Sequence, residues 1–233
     1  RRRQVVFFAH VHDTKRENCP QRFRARLEYY RPAVVIIMSD EVLLTKCVHQ
    51  VLLDLKWRPG LMVRQYAREI GTVDPPDPRV HVVPLGYMPT PLLPRDLERD
   101  VLIRASKRPL MWTFVGWPKN DRKEIMAKFT KWMPDGFAFF GGFETGMSTI
   151  NVTRAYAHAK FVVSPWGNAH IECTRQYEAS RVGSIPVLVV PKKRAIQAFA
   201  TFLDVKTDGL NRTAEETFPP WLFADSWPQA AAA

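Results

Sequence analysis

Short apolar runs alternate along the chain with longer stretches in which apolar residues recur at helical spacing. The runs are Gln4–Ala9 (QVVFFA), Ala33–Met38 (AVVIIM), Leu61–Tyr66 (LMVRQY), Val80–Val83, Leu110–Val115 (LMWTFV), Gly136–Phe140, Phe161–Ser164 (FVVS) and Ile185–Val190 (IPVLVV). Rich in β-branched and aromatic residues and bounded by Gly, Pro, Asn or Asp, they predict strands. IPVLVV is almost unbroken, as in a strand covered on both faces. Between the runs, Pro20–Tyr30, a segment capped by Asn120 or Asp121 and ending at Trp132, Ser148–His158 and Ile171–Val182 predict helices. Lys192–Arg194 opens a further helix, and the tail from Arg212 predicts partial helix with Trp221 and Trp227 packed on the body. Strand and helix alternate throughout, which predicts an α/β fold with parallel sheets and right-handed crossovers. The proline-rich, charged stretch Met88–Pro109 is the predicted boundary between a first half, 1–105, and a second, 106–233.

The stretch from Phe161 to Pro191 is the most informative. It reads as strand, loop, helix and strand, with Gly183 where a left-handed helix cap is wanted and Pro186 soon after. Ligands of such a unit bind beyond the carboxyl ends of the strands, here Ser164 to His170. Gly167 lets a backbone approach a ligand, and the free N–H groups of a helix start attract phosphate. Arg175 and Glu178, three apart, share one helix face. Two readings of that pair stand side by side. It is either a solvated ion pair, or a ligand pair with the arginine on phosphate oxygens and the carboxylate on ribose hydroxyls.

The run G-N-A-H-x-E-C-x-R-x-Y-E-A-S-x-x-G-S-I-P-V over 167–187 resembles the C-terminal signature of exostosin-type glycosyltransferases, above all the ribitol-5-phosphate xylosyltransferase family. The apolar strand followed by Ser39-Asp40-Glu41, the PLGY segment ending at Tyr87, and F-V-G followed by Arg122 resemble the same families more loosely. The resemblance implies a GT-B architecture: two Rossmann-like lobes with a cleft between them, acceptor side first and donor side second; the first half is short for that role and is read as truncated. It implies transfer of a sugar, xylose or another, from a UDP donor to an acceptor hydroxyl on a glycan, with inversion and no obligatory cofactor. A divalent metal is left open. By resemblance Arg175 and Glu178 belong to the donor site, Gly116 and Arg122 approach the diphosphate, and Tyr87 lines the cleft. Ser164, Gly167 and Asn168 complete the donor-side set. The family also implies action in the Golgi lumen, with a membrane anchor in a segment outside this chain.

The catalytic base is left among Glu41, Asp40, Asp13, His12 and His10. Asp40 and Glu41 follow a strand and either deprotonate the acceptor or cap the next helix. His10 and His12, two apart, would face one way on a strand, but no third metal ligand is recognisable near them. Asp96-Leu-Glu98 and Glu98-Arg-Asp100 imitate a D-x-D metal motif, yet on a helix such positions do not face each other.

Charge adds one constraint. A net charge of +11 and a pI of about 9.8 favour anionic partners. No helix-turn-helix, zinc-finger or RNP signature accompanies the charge, so nucleic acid is not the expected partner. Cys19, Cys47 and Cys173 have no C-x-x-C spacing, which argues against zinc or thioredoxin-like chemistry. Asn151-Val-Thr and Asn211-Arg-Thr are N-glycosylation sequons. No apolar run of about eighteen residues is present. The alternative function is a non-catalytic module that binds glycan or nucleotide on a glycosyltransferase-derived lobe.

Overall fold

The computed structural model describes residues 6–10, 19–38, 59–65, 80–83, 85–86, 103–142, 145–167, 170–191, 195 and 220–233. These fall into two compact units. The first carries β1 (Val6–His10), α1 (Cys19–Tyr30), β2 (Val34–Met38), β3 (Leu61–Gln65) and β4 (Val80–Val83). Its strands pair in sequence order and all in parallel. Phe23 and Leu27, one helical turn apart on α1, are buried. On β2 the buried residues are Val35 and Ile37, with half-buried neighbours between them.

The second unit holds β5 (Leu110–Gly116), α2 (Arg122–Trp132), β6 (Gly136–Phe140), α3 (Thr149–Ala157), β7 (Ala159–Val163), α4 (Thr174–Arg181), β8 (Ile185–Val189), β9 (Leu222–Ala224) and α5 (Trp227–Ala232). The strands form a five-stranded parallel sheet in the order β6-β5-β7-β8-β9. This is a Rossmann-like α/β arrangement. The chain steps from β5 outward to β6 and then returns past β5 to β7, so the winding reverses between β5 and β7.

Strand periodicity sorts two cores onto the two faces. On one, Trp112, Phe114, Val163 and Val187 pack under Ile125, Met126 and Phe129 of α2 and Ala230 of α5. On the other, Val115 and Val162 pack under Tyr156 and Ala157 of α3 and Ala179 of α4. Burying rings such as Trp112, Phe114 and Phe129 contributes about 2–3 kcal/mol each. Trp112 meets Phe129 edge-on at 5.5 Å, and Phe129 meets Trp227 at 5.7 Å. The Trp112 indole also donates to the Met133 carbonyl at 2.7 Å. A Cβ at Gly136 would lie 2.0 Å from that ring, so the edge strand can close over Trp112 only at a glycine.

Two predicted elements differ in extent or kind. Helix α4 begins at Thr174, not Ile171, because Cys173 is extended and caps it. Gln176 Oε1 accepts from the Cys173 N–H at 3.1 Å, and Gln176 Nε2 donates to the Ile171 carbonyl at 2.7 Å. Ile171 is buried ahead of the helix. The tail contains a strand, β9, as well as the helix α5; three residues are too few to display a period. Its aromatics do pack on the body, with the Trp221 indole donating to Ser180 Oγ at 2.9 Å. Among the described residues no helix is long and apolar enough to cross a membrane.

Arg108 braces the amino ends of β7 and β8. Its Nη1 donates to the Ala159 carbonyl at 2.9 Å and to Ser184 Oγ at 2.5 Å, and its Nη2 to the Val182 carbonyl at 2.8 Å. Val182 is the C-cap of α4, where a cation suits the helix dipole. Burial lowers the Arg108 pKa, and carbonyls replace its water shell. Arg108→Met strands those carbonyls without a donor. Urea unfolding is expected to show a loss of about 3 kcal/mol at unchanged slope. Glu124→Gln, which breaks only the exposed pair with Lys128, is expected to leave the midpoint where it was.

Candidate functional site

The carboxyl ends of β5 and β7, neighbours in the sheet, frame the place where the winding reverses. Open α/β sheets bind ligands at such a switch point. Two loops rise from it, one after Gly116 and one after Val163. Arg175, in the first turn of α4, reaches into it.

Arg175 is only 9% exposed. Its Nε donates to the Val115 carbonyl at 3.3 Å and its Nη1 to Cys173 Sγ at 3.3 Å. The guanidinium carbon stands 4.9 Å from the Phe114 ring centroid, and the Tyr156 phenol is near enough to act on its charge. Gly116 makes the room. A Cβ there would lie 2.8 Å from Nη2 and 3.1 Å from Phe114 Cζ. The solvated ion pair allowed by spacing is therefore not what forms, because the sheet end draws the arginine out of water.

Electrostatics keeps this buried cation charged. Burial alone would lower its pKa, but Cys173, Tyr156 and Glu178 together outweigh burial and hold it above the ordinary value. Burial raises the Tyr156 phenol, with Arg175 opposing only in part. Burial also raises the Glu178 carboxyl, and the attraction of Arg175 recovers only some of that. The site thus pairs a fixed positive charge with a half-buried acid whose pKa lies above the ordinary carboxyl value because of burial.

The other residues of the signature have definite places. Ser164 is buried, its N–H donating to the Val187 carbonyl at 2.8 Å and its hydroxyl 3.4 Å from Cys173 Sγ. Cys173 is a free thiol. Glu172 is fully buried and accepts from the Tyr177 hydroxyl. Gly167 donates its N–H to the His170 carbonyl at 2.8 Å; these two residues group with the first unit.

Arg122 is buried, not a surface residue of the first helical turn. Its Nη1 donates to the Trp117 carbonyl at 3.2 Å and its Nη2 to the Trp166 carbonyl at 2.5 Å, so it ties together the loops after β5 and β7. Asp121 is the N-cap of α2 without a side-chain capping bond, and Asn120 takes φ of 57° to enter the turn.

Arg175, Glu178, Gly116, Arg122 and Ser164 thus come together in the second unit. Glu41, Asp40, His12, Asp13, Tyr87, Asn168 and Asn211 lie outside the described residues. His10 is the last residue of β1. Asn151 is exposed in the first turn of α3, its N–H capped by Ser148 Oγ at 3.4 Å. Among the described residues no group of three or more His, Cys, Asp or Glu side chains is disposed to hold a metal ion. Sequence reasoning did not single out Cys173, Tyr156 or Phe114 as neighbours of Arg175. Cys173 stands inside the signature, two residues before the arginine, whereas nothing local marks Tyr156 or Phe114. Arg175 turns Nε and Nη1 toward the protein, so it offers a ligand its field more than a free fork. No protein-family model and no curated protein sequence matches this chain.

Gly116→Ala pushes the new methyl into the guanidinium. We expect about 2 kcal/mol of destabilisation, read from the urea midpoint. The raised Glu178 carboxyl sets a pH dependence with a definite sign. The folded chain keeps that proton at pH values where the unfolded chain, with its ordinary value of 4.5, has lost it. Stability from this group therefore falls as pH rises through the window that opens at 4.5. The difference in unfolding free energy between the native chain and Glu178→Gln, followed from pH 4 upward, is expected to decline. A rising difference would mean that Arg175 holds the acid ionised.

Proposed function

We propose that this chain is a glycosyltransferase of the GT-B kind, moving a sugar from a UDP donor to an acceptor hydroxyl on a glycan. The second unit is the donor side in this reading. One observation carries it: the signature residues Arg175 and Glu178 converge with Gly116 and Ser164 over the strand ends where the sheet reverses its winding. That is where α/β sheets hold nucleotides.

In the proposed reaction the acceptor oxygen attacks the anomeric carbon as the bond to the diphosphate breaks. The leaving diphosphate takes the bonding electrons, and the acceptor proton passes to a general base. Negative charge grows on the diphosphate as it leaves. The Arg175 cation, held charged in a site with little water, and the first N–H groups of α4 stabilise that charge. Glu178 accepts from the ribose hydroxyls. Xylose by resemblance is the first sugar to try, and the reading carries with it action in the Golgi lumen.

One feature favours the second reading, a module that binds without turnover. The Nε and Nη1 of Arg175 are engaged by Val115 and Cys173, as in an arginine kept for structure.

Calorimetry with UDP separates the readings when paired with a transfer assay. UDP is expected to bind the native chain, and at least tenfold more weakly, about 1.4 kcal/mol, to bind Glu178→Ala and Arg175→Lys. UDP-xylose with a glycan acceptor is expected to release UDP. Binding without release for any UDP-sugar favours the module. A folded native chain that binds no UDP overturns both readings.

A further inference from the structure

We propose that Trp117 and Trp166 are a stacking pair for the nucleotide base, and that Arg122 is the positioning residue that holds them; the proposal rests on the donor-site reading. Both indoles are 46% exposed, while Trp112 of the same unit is 1% exposed. They stand on the two loops that flank the switch point. Trp117 follows the last residue of β5 directly, and Trp166 lies three residues past β7.

The loops are fixed, which an incidental pair of surface rings would not require. A single buried guanidinium, that of Arg122, bonds both tryptophan carbonyls. Each tryptophan adjoins a proline, Pro118 after one and Pro165 before the other. Proline locks its own φ and narrows its preceding neighbour, so little freedom is left to lose on binding. Lys119 Nζ stands over one face of the Trp117 ring, 5.6 Å from its centre, and places a positive charge there. A flat ring joined to phosphates meets both features, and a nucleotide is such a ligand.

The geometry also says how the base would be read. The Trp117 carbonyl already accepts from the Lys119 N–H at 2.8 Å as well as from Arg122, and the Trp166 carbonyl accepts from Arg122. These carbonyls are committed within the protein, so the pair reads the face of a base and not its edge. Stacking of that kind tolerates any base.

The test uses the full chain, titrated with UDP and with ADP while tryptophan emission is followed. In the native chain both nucleotides are expected to quench emission and to bind within about threefold of each other. Trp117→Ala and Trp166→Ala are each expected to bind both about tenfold more weakly. Trp117→Phe and Trp166→Phe keep a ring and are expected to stay within about threefold of native, which separates lost stacking from a damaged fold. Arg122→Met is expected to weaken both nucleotides as much as losing one indole does, with quenching reduced. Alanine variants that bind UDP as tightly as the native chain overturn the proposal and leave the donor site standing. Alanine variants that keep UDP but lose affinity for a xylose-containing oligosaccharide also overturn it, since the rings would then belong to the acceptor. Absence of UDP binding by the folded native chain overturns the donor-site reading itself.

Discussion

The placement of one cation governs the second unit. Arg175 is removed from water and set against a carbonyl, a thiol, a phenol and the face of Phe114. A buried charge is costly unless its surroundings are complete. Its needs therefore constrain the neighbours: a glycine at 116, a tyrosine at 156 from the opposite end of the preceding helix, and a cysteine at the cap of its own. The same surroundings leave Glu178 as the adjustable member, since its protonation responds to burial and to the arginine in opposite senses.

Arginines brace the sheet at both ends. A parallel sheet leaves its connecting loops at the two ends of its strands, where main-chain carbonyls lose their regular partners. At the amino ends Arg108 collects carbonyls from three segments, among them the C-cap of α4. At the carboxyl ends Arg122 gathers the loops after β5 and β7. The planar guanidinium suits this, with several donors fixed in one fork. Part of the basic excess of the chain is thus structural scaffolding, a role that net charge by itself does not reveal.

Much of the fold was legible because its strands are short, apolar and punctuated. The runs at 110–115, 136–140 and 161–164 announce β5, β6 and β7, and Gly183 sits with φ of 70° where a helix cap was required. The start of α4 was misread because Ile171 is apolar in helical phase, while the capping bonds of Gln176 and Cys173 exclude it from the helix. β9 was missed because a three-residue strand carries almost no pattern and depends on pairing with β8. At the site, the nearness of Arg175 to Glu178 was readable from helical spacing. That Arg175 would be buried against Phe114 and Tyr156 was not, since it needs residues from three different elements. Arg122 was picked out, but its partners are backbone atoms, which no side-chain pattern encodes.

The order in which the second unit can be completed follows from β9 and α5. Trp227 packs on Phe129, and β9 is the last strand of the sheet, although nearly a hundred residues separate the two rings along the chain. During synthesis the core beside α2 stays open to solvent until residues 222–232 have left the ribosome. For that interval Phe129 and the free edge of β8 are exposed together, an apolar surface beside an unpaired strand. Nascent chains in that condition are clients for chaperones. A ribosome that stalls before residue 222 would hold the unit in that state.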